Sequence, residues 1–352
     1  MTKEKGYFER LTRETPTRLW INNPTLAEAD QAVAAGAISC TTNPSYAARV
    51  IKLEPERALQ AIQTAVRKTP DDQQAADEAQ QLLVKEIMDK FLDLYERNPG
   101  RQGLVSIQGD PHGDDRADQI VNEALRFRKL SKNFITKIPC TATGLKAFEQ
   151  LIPEDMPIIA TEVFALAQAR EVCELYQRVS HRCGKHPPFY VTHISGIFDE
   201  YLAANARRQG IAVSPLALEQ AGCILARRQY AMMKNRGYDV TLMGGGARGT
   251  RHFTEMVGGA VHVTINWSTA EEIIRANPPV ISRMQVEAAP GVTDELCSKL
   301  PDFRKAYLEE GLPVDEFAQF GPLQYFRDMF VAGWDALLRG VREQRSKTLA
   351  PA

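Results

Sequence analysis

The chain reads as an α/β protein: a single parallel (β/α)8 TIM barrel with extra helices after strand 2 and a C-terminal helical extension. Three observations predict it. Eight short runs rich in Val, Ile and Thr recur along the 352 residues. Amphipathic stretches of helical spacing separate them, the alternation of a parallel α/β fold. Eight parallel strands with helices between them close naturally into a barrel.

The expected strands are Arg18–Asn22, Ala37–Thr42, Gly103–Gln108, Asn133–Ile138, Pro157–Val163, Phe189–Ile194, Asp239–Met243 and Ala260–Asn266. Between the first two, Thr25 to Ala35 is a short helix, with Gly36 where a helix should stop. The second connection, Ser45 to Gln102, is too long for one crossover helix. Two or three are expected, the later one starting near Asp71–Asp72 after Pro70. Within it Leu83, Ile87, Phe91 and Leu94 share one helical face. Ala117, Ile120, Val121, Ala124 and Phe127 do the same after a cap-like Asp114. In the tail, Phe326, Phe330, Trp334 and Leu337 form an apolar stripe. It reads as a helix packed against the barrel's outer ring, with a partner helix or an active-site lid as the alternative. No repeat, low-complexity tract or linker interrupts the chain. One domain is therefore expected over residues 1–352, with the barrel at about 18–277 and the extension at about 278–352.

Composition narrows the function. A hydrophobic fraction of 44%, a charged fraction of 25% and a formal net charge of −1 are those of a soluble globular protein. They argue against nucleic-acid binding as its main business. The stretch Met1 to Trp20 has no apolar core of a signal peptide, and no run approaches a membrane span. Six scattered cysteines read as reduced thiols. A cytoplasmic protein with no membrane partner is expected. His181 and His186 in HRCGKH lie in a loop-like stretch, and no metal site is expected from them.

In such a barrel the chemistry projects from the C-terminal strand ends. The polar residues there are Asn22 and Asn23, then Thr41, Thr42 and Asn43, then Gln108 and Asp110. Lys137, Thr161, His193, Arg248 and Asn266 follow on the later strands. Lys137, in Phe-Ile-Thr-Lys-Ile-Pro, points inward if Ile135 does, because side chains alternate along a strand. A buried ammonium is costly unless it is paired or loses its proton. An amine with a depressed pKa is what a Schiff-base nucleophile requires. The alternative is an outward or ion-paired lysine.

The run Gly244–Gly249, GGGARG, matches a GxGxxG pattern. Dinucleotide binding would need an acidic residue at the end of the next strand, which instead ends Asn266–Trp267. No cofactor is expected. A glycine-rich turn beside Arg248 and Arg251 suits a phosphate monoester better.

Taken together, four segments resemble the transaldolase family, including its fructose-6-phosphate aldolase branch. They are CTTNPS (Cys40 to Ser45), ITKIPCTATGLKAFEQL (Ile135 to Leu151), TEVFALAQA (Thr161 to Ala169) and LMGGGARG (Leu242 to Gly249). They occur in the family's order, and the tail segment LPDFRKAYLEEGL is similar to the extension of longer bacterial members. The resemblance implies carbohydrate metabolism of the pentose phosphate type. A lysine, here Lys137, would attack a ketose carbonyl, and a dihydroxyacetone unit would be passed to an acceptor aldehyde. It also implies that Thr42 and Asn43 bind donor hydroxyls, Thr161 helps hold a water, and Arg248 with Gly246 binds phosphate. A homo-oligomer is a further implication.

The departures are specific. Asn22 stands where the family has Asp on the first strand, and Gln108 where it has Glu on the third. An amide does not exchange a proton near neutral pH. The aldolase branch also carries Gln at that site and uses a sixth-strand tyrosine, near which His193 aligns. His193 is then either a general acid/base or a structural histidine. Gly196 replaces a phosphate-gripping arginine, and Gly246 a serine. Three readings follow: an enzyme transferring the three-carbon unit, a simple aldolase releasing it, or a non-catalytic binding protein that kept the fold.

Overall fold

The computed structural model describes residues 6–349. The first five and last three residues, part of the N-terminal stretch and tail read above, lie outside them. Eight strands form a closed barrel in chain order, every neighbouring pair parallel. They are β1 (Arg18–Asn22), β2 (Ser39–Thr41), β3 (Val105–Ile107), β4 (Phe134–Pro139), β5 (Ile158–Val163), β6 (Phe189–Ile194), β7 (Thr241–Gly245) and β8 (Val261–Ile265). The expected bounds of β1 and β6 hold. The seventh strand starts and ends two residues later than expected, because Gly244 and Gly245 pair with His193 and Ile194 and extend the ladder.

The local signals in the connections are physical. Thr25 caps the Leu26–Ala35 helix in a capping box with Glu28, and Gly36 ends it with φ of 106°. The long second connection holds three helices, Tyr46–Leu53, Pro55–Lys68 and Asp72–Arg97, the last capped by the Asp71 carboxylate. One expectation is corrected. The helix Ala117–Phe127 has Arg116 at its N-cap and no side-chain cap, so Asp114 does not serve there. Asp114 is drawn inward instead, beside Glu162 and Arg327, and burial raises its pKa well above the usual range.

Two apolar layers fix the barrel. Outward-facing strand residues pack with the helices in one large core. Inside, Trp20, Leu104, Ile135, Ile159, Tyr190 and Met243 form a separate plug. Trp20 and Tyr190 meet edge to face at 5.1 Å, and the Trp20 indole N–H donates to His262 Nδ1 at 2.9 Å. This plug fills the barrel interior below the mouth.

The tail ends in a 29-residue helix, Gly321–Leu349. Its apolar stripe serves two surfaces. Phe326, Met329 and Phe330 border the barrel mouth. Trp334 lies further along, where its indole donates to Gln73 on the outer helical layer at 3.3 Å. Outer-ring packing and lid, framed as alternatives by the sequence, are thus successive parts of one helix. None of the described helices is long and apolar enough to cross a membrane.

Candidate active site

Alternation along the strands builds the site. Two positions beyond the plug residues Trp20, Ile135, Ile159, Tyr190 and Met243 come Asn22, Lys137, Thr161, Thr192 and Gly245. All five line a cavity of about 500 Å³ at the C-terminal mouth, roofed by Phe326, Met329 and Phe330. An apolar floor with a polar tier above it follows from the period of two.

Lys137 is 7% exposed. Its Nζ lies 3.5 Å from the Thr42 carbonyl oxygen and 5.5 Å from the centre of the Phe330 ring. No carboxylate of the described residues pairs with it at contact distance. Burial therefore lowers its pKa to about 8, opposed by the charge of Glu162.

The third-strand end adjoins it. Ile107 pairs with Thr136, so Gln108 comes next to Lys137. Gln108 is buried and donates from Nε2 to Glu162 Oε1 at 3.1 Å. Gln108 Oε1, Thr161 Oγ1 and Glu162 Oε2 find no hydrogen-bond partner among the described residues. Burial pushes Glu162 up to about 7, against the Gln108 hydrogen bond and the charges of Lys137 and Arg327.

On the opposite arc the strand-end side chains are uncharged and mostly bonded, with Asn23 Oδ1 left unpartnered. Asn22 donates to Asn266 Oδ1 at 2.9 Å and accepts from Thr41 Oγ1 at 3.0 Å. Thr41 and Thr264 share a hydrogen bond of 2.7 Å. Asn43 faces the cavity with Oδ1 occupied by Asn23 Nδ2 and the Ser45 amide, which leaves its NH2 group for a ligand.

Other expected residues sit elsewhere. The Thr42 hydroxyl is turned to the Ser106 carbonyl at 2.5 Å, so only its backbone carbonyl approaches Lys137. His193 alternates outward between Thr192 and Ile194. It is fully buried behind the strand, with Nε2 at 2.8 Å from Gly222 O and Nδ1 at 3.2 Å from Val163 O. Burial lowers its pKa to about 4. Arg248 borders the cavity but is bound to Glu200, which also accepts from Tyr325 of the tail helix at 2.5 Å. Arg251 is held by Asp199 at 3.0 Å and does not reach the mouth. Gly246 turns there with φ of 64°. A Cβ on Gly196 would lie 2.6 Å from Gly246 O and 2.7 Å from Arg248 N. The loop carrying Arg248 thus rests on Gly196, which leaves no room for a side chain.

The sequence reading missed Thr192, Glu162 and Glu200 as parts of this site, while Phe330 belonged to the stripe for which an active-site lid was one alternative. Thr192 was within reach, since alternation from Tyr190 points it inward. Glu162 gave one faint sign, an acidic residue in an otherwise apolar strand.

The chain is similar to known proteins over this same architecture. The family model for transaldolase/fructose-6-phosphate aldolase matches residues 19–318. A transaldolase of Saccharopolyspora erythraea is 30% identical over 164 residues, covering 46% of this chain and 43% of that protein. One from Thiobacillus denitrificans is 30% identical over 148 residues, covering 41% and 40%. Both alignments span less than half of the relative's length. A third, from Actinobacillus pleuropneumoniae serotype 3, is 26% identical over 296 residues, covering 79% and 84%. With the match running from the first strand of the barrel into its helical tail, the chain belongs to the transaldolase/fructose-6-phosphate aldolase family.

Proposed function

We propose that this protein is a Schiff-base enzyme of transaldolase type, acting on a ketose or ketose phosphate through an imine on Lys137. The observation that carries the reading is a buried amine held between the Thr42 carbonyl and the Phe330 ring in the mouth, with its pKa lowered to about 8, whereas Lys52 at the rim is exposed. At that value a useful fraction is the neutral nucleophile near neutral pH. The lone pair of Nζ forms a bond to the ketone carbon, and loss of water gives the iminium. That ion then draws the electron pair from the C3–C4 bond as the C4 hydroxyl gives its proton to water, releasing an aldehyde and leaving a dihydroxyacetone enamine.

The remaining roles follow from position. The free NH2 of Asn43 suits donor hydroxyls, and Thr161 Oγ1 suits a water. Asn22 and Gln108 are amides and hold hydroxyls without taking protons. Arg248, at the turn made by Gly246, would grip a phosphate by exchanging Glu200 for it. His193, behind the strand, supports packing better than proton transfer. We place the protein as one domain in the cytoplasm, working without metal or cofactor. Partner chains and nucleic acid have no part in the proposed chemistry.

Release of the three-carbon unit, rather than transfer, is favoured by one observation: neither amide can serve the acid/base steps in the usual way. A non-catalytic sugar binder is the rival reading, and it predicts no covalent chemistry. Incubation with fructose 6-phosphate or dihydroxyacetone, borohydride reduction and intact-mass measurement separate them. An added donor mass located on Lys137 is expected. No adduct with either ketose would leave the binder.

A further inference from the structure

If Asn22 and Gln108 are amides and His193 faces away, the mouth needs another group to hold a proton. Among the described residues, Glu162 is the carboxylate whose charge acts on Lys137. The backbone places it in an unusual way. Ala160 pairs with Val191, but Val163 pairs with His193, so β5 carries one extra residue at Thr161–Glu162. Glu162 itself has φ of 59°, a left-handed conformation rare for such a residue. Such strain persists only where the surroundings enforce it. A bulge re-aims a side chain. Here it lets Thr161 face the mouth while the next residue reaches Gln108.

We propose that Glu162 is a positioning residue that sets the protonation of Lys137: a fully buried carboxylate, held by Gln108, that keeps one proton in common with the amine. The inference rests on the Schiff-base reading for its chemical purpose. Its proton balance is closed. Neutral Lys137, protonated Glu162 and a ketone give the iminium, the Glu162 carboxylate and water. The C–N bond forms, the C–O bond breaks, and the proton of Glu162 leaves in that water. A neutral pair becomes an ion pair with no change in net charge, which suits a buried site.

The groups facing Glu162 are Lys137 from β4, Gln108 just after β3, Asp114 further along that loop, and Arg327 from the tail helix. Glu162 also borders a second cavity, of about 400 Å³, whose lining includes Asp114, Thr141, Thr143 and Arg327.

The test reads Lys137 without requiring turnover. Its reaction with trinitrobenzenesulfonate, followed by peptide mass spectrometry as a function of pH, gives a titration midpoint. Glu162→Gln removes the negative charge and is expected to lower the midpoint by about one pH unit. Gln108→Leu, which removes the hydrogen bond holding the carboxylate ionised, should lower it in the same direction. Glu162→Asp should return it towards the wild-type value. Thermal melting identifies which variants fold, and an unmoved midpoint in either folded neutral variant overturns the proposal. Ketose trapping on the wild type is run in parallel. A missing adduct there removes the Schiff-base reading, while the midpoint still decides whether Glu162 governs the amine.

Discussion

The two arcs of the barrel mouth are made of similar residues and differ in how their polar groups are satisfied. Along β8, β1 and β2, Asn266, Asn22, Thr41 and Thr264 are joined by hydrogen bonds of 2.7–3.0 Å and none of them ionises; the exception on this arc is Asn23, whose Oδ1 is unpartnered and whose φ is 46°, a conformation asparagine tolerates. Along β3, β4 and β5, Gln108, Thr161 and Glu162 each keep an unpartnered oxygen, two titratable groups lie together, and the backbone is strained. A folded protein seldom leaves buried polar atoms unpaired, because each costs about 1–3 kcal/mol. The first arc is a frame. The second arc is where binding energy and proton movement can be used.

Substitutions can break or sharpen that contrast. The largest effect is expected at Lys137. Lys137→Met should abolish the borohydride-trapped mass completely, and it should also change stability with a defined sign. Burial lowers the folded-state pKa from 10.5 to about 8, so the unfolded chain binds the proton more tightly between those values. The cost of burying the charge is fully present below pH 8 and is relieved as pH rises towards 10.5. Lys137→Met should therefore melt several degrees higher at mildly acidic pH and lose the alkaline rise in stability. Melting curves that keep the rise would contradict this account.

Gly196→Arg comes next. It restores the arginine of the family pattern, yet its Cβ would meet the backbone of Gly246 and Arg248. Overpacking against backbone should destabilise by about 3 kcal/mol, measured by denaturant unfolding, with no gain in phosphate affinity. Tighter phosphate binding in a stable variant would show that the loop moves freely.

His193→Phe strips a buried carbonyl of its donor, since the neutral imidazole carries one N–H, and should cost roughly 1–3 kcal/mol of stability. Adduct formation should stay unchanged. A rate slowed by about 10²–10⁴-fold would instead return the imidazole to proton transfer. The smallest effect belongs to the frame. Thr264→Val removes the hydroxyl bonded to Thr41 and should cost about 1 kcal/mol, with the Lys137 titration midpoint unaltered.

The contrast also explains what was legible beforehand. Strand alternation, the helix stop at Gly36 and the helix start near Asp71–Asp72 are local signals, and they held. Asp114 was misread because a short acidic side chain before a helix looks like a cap. A buried cluster 48 residues away in sequence, around Glu162, draws it inward instead. His193 and Thr192 differ by one position, and a one-residue error in register reverses which side chain reaches the mouth. Glu162 lay beyond pattern reading, since an extra residue in β5 changes the alternation that the pattern assumes.

By itself the amino-acid order determined the eightfold strand–helix alternation and the family, and it left Lys137 either inward or outward. Periodicity and short motifs encode these within a few neighbouring residues. Only the closed barrel decided that Lys137 lies beneath Phe330, that Arg248 answers to Glu200, and that Glu162 meets Gln108. Those contacts join residues 48 to 193 positions apart, and their electrostatics depend on the exclusion of water. Burial of that kind exists only after the strands have closed and the tail helix has docked.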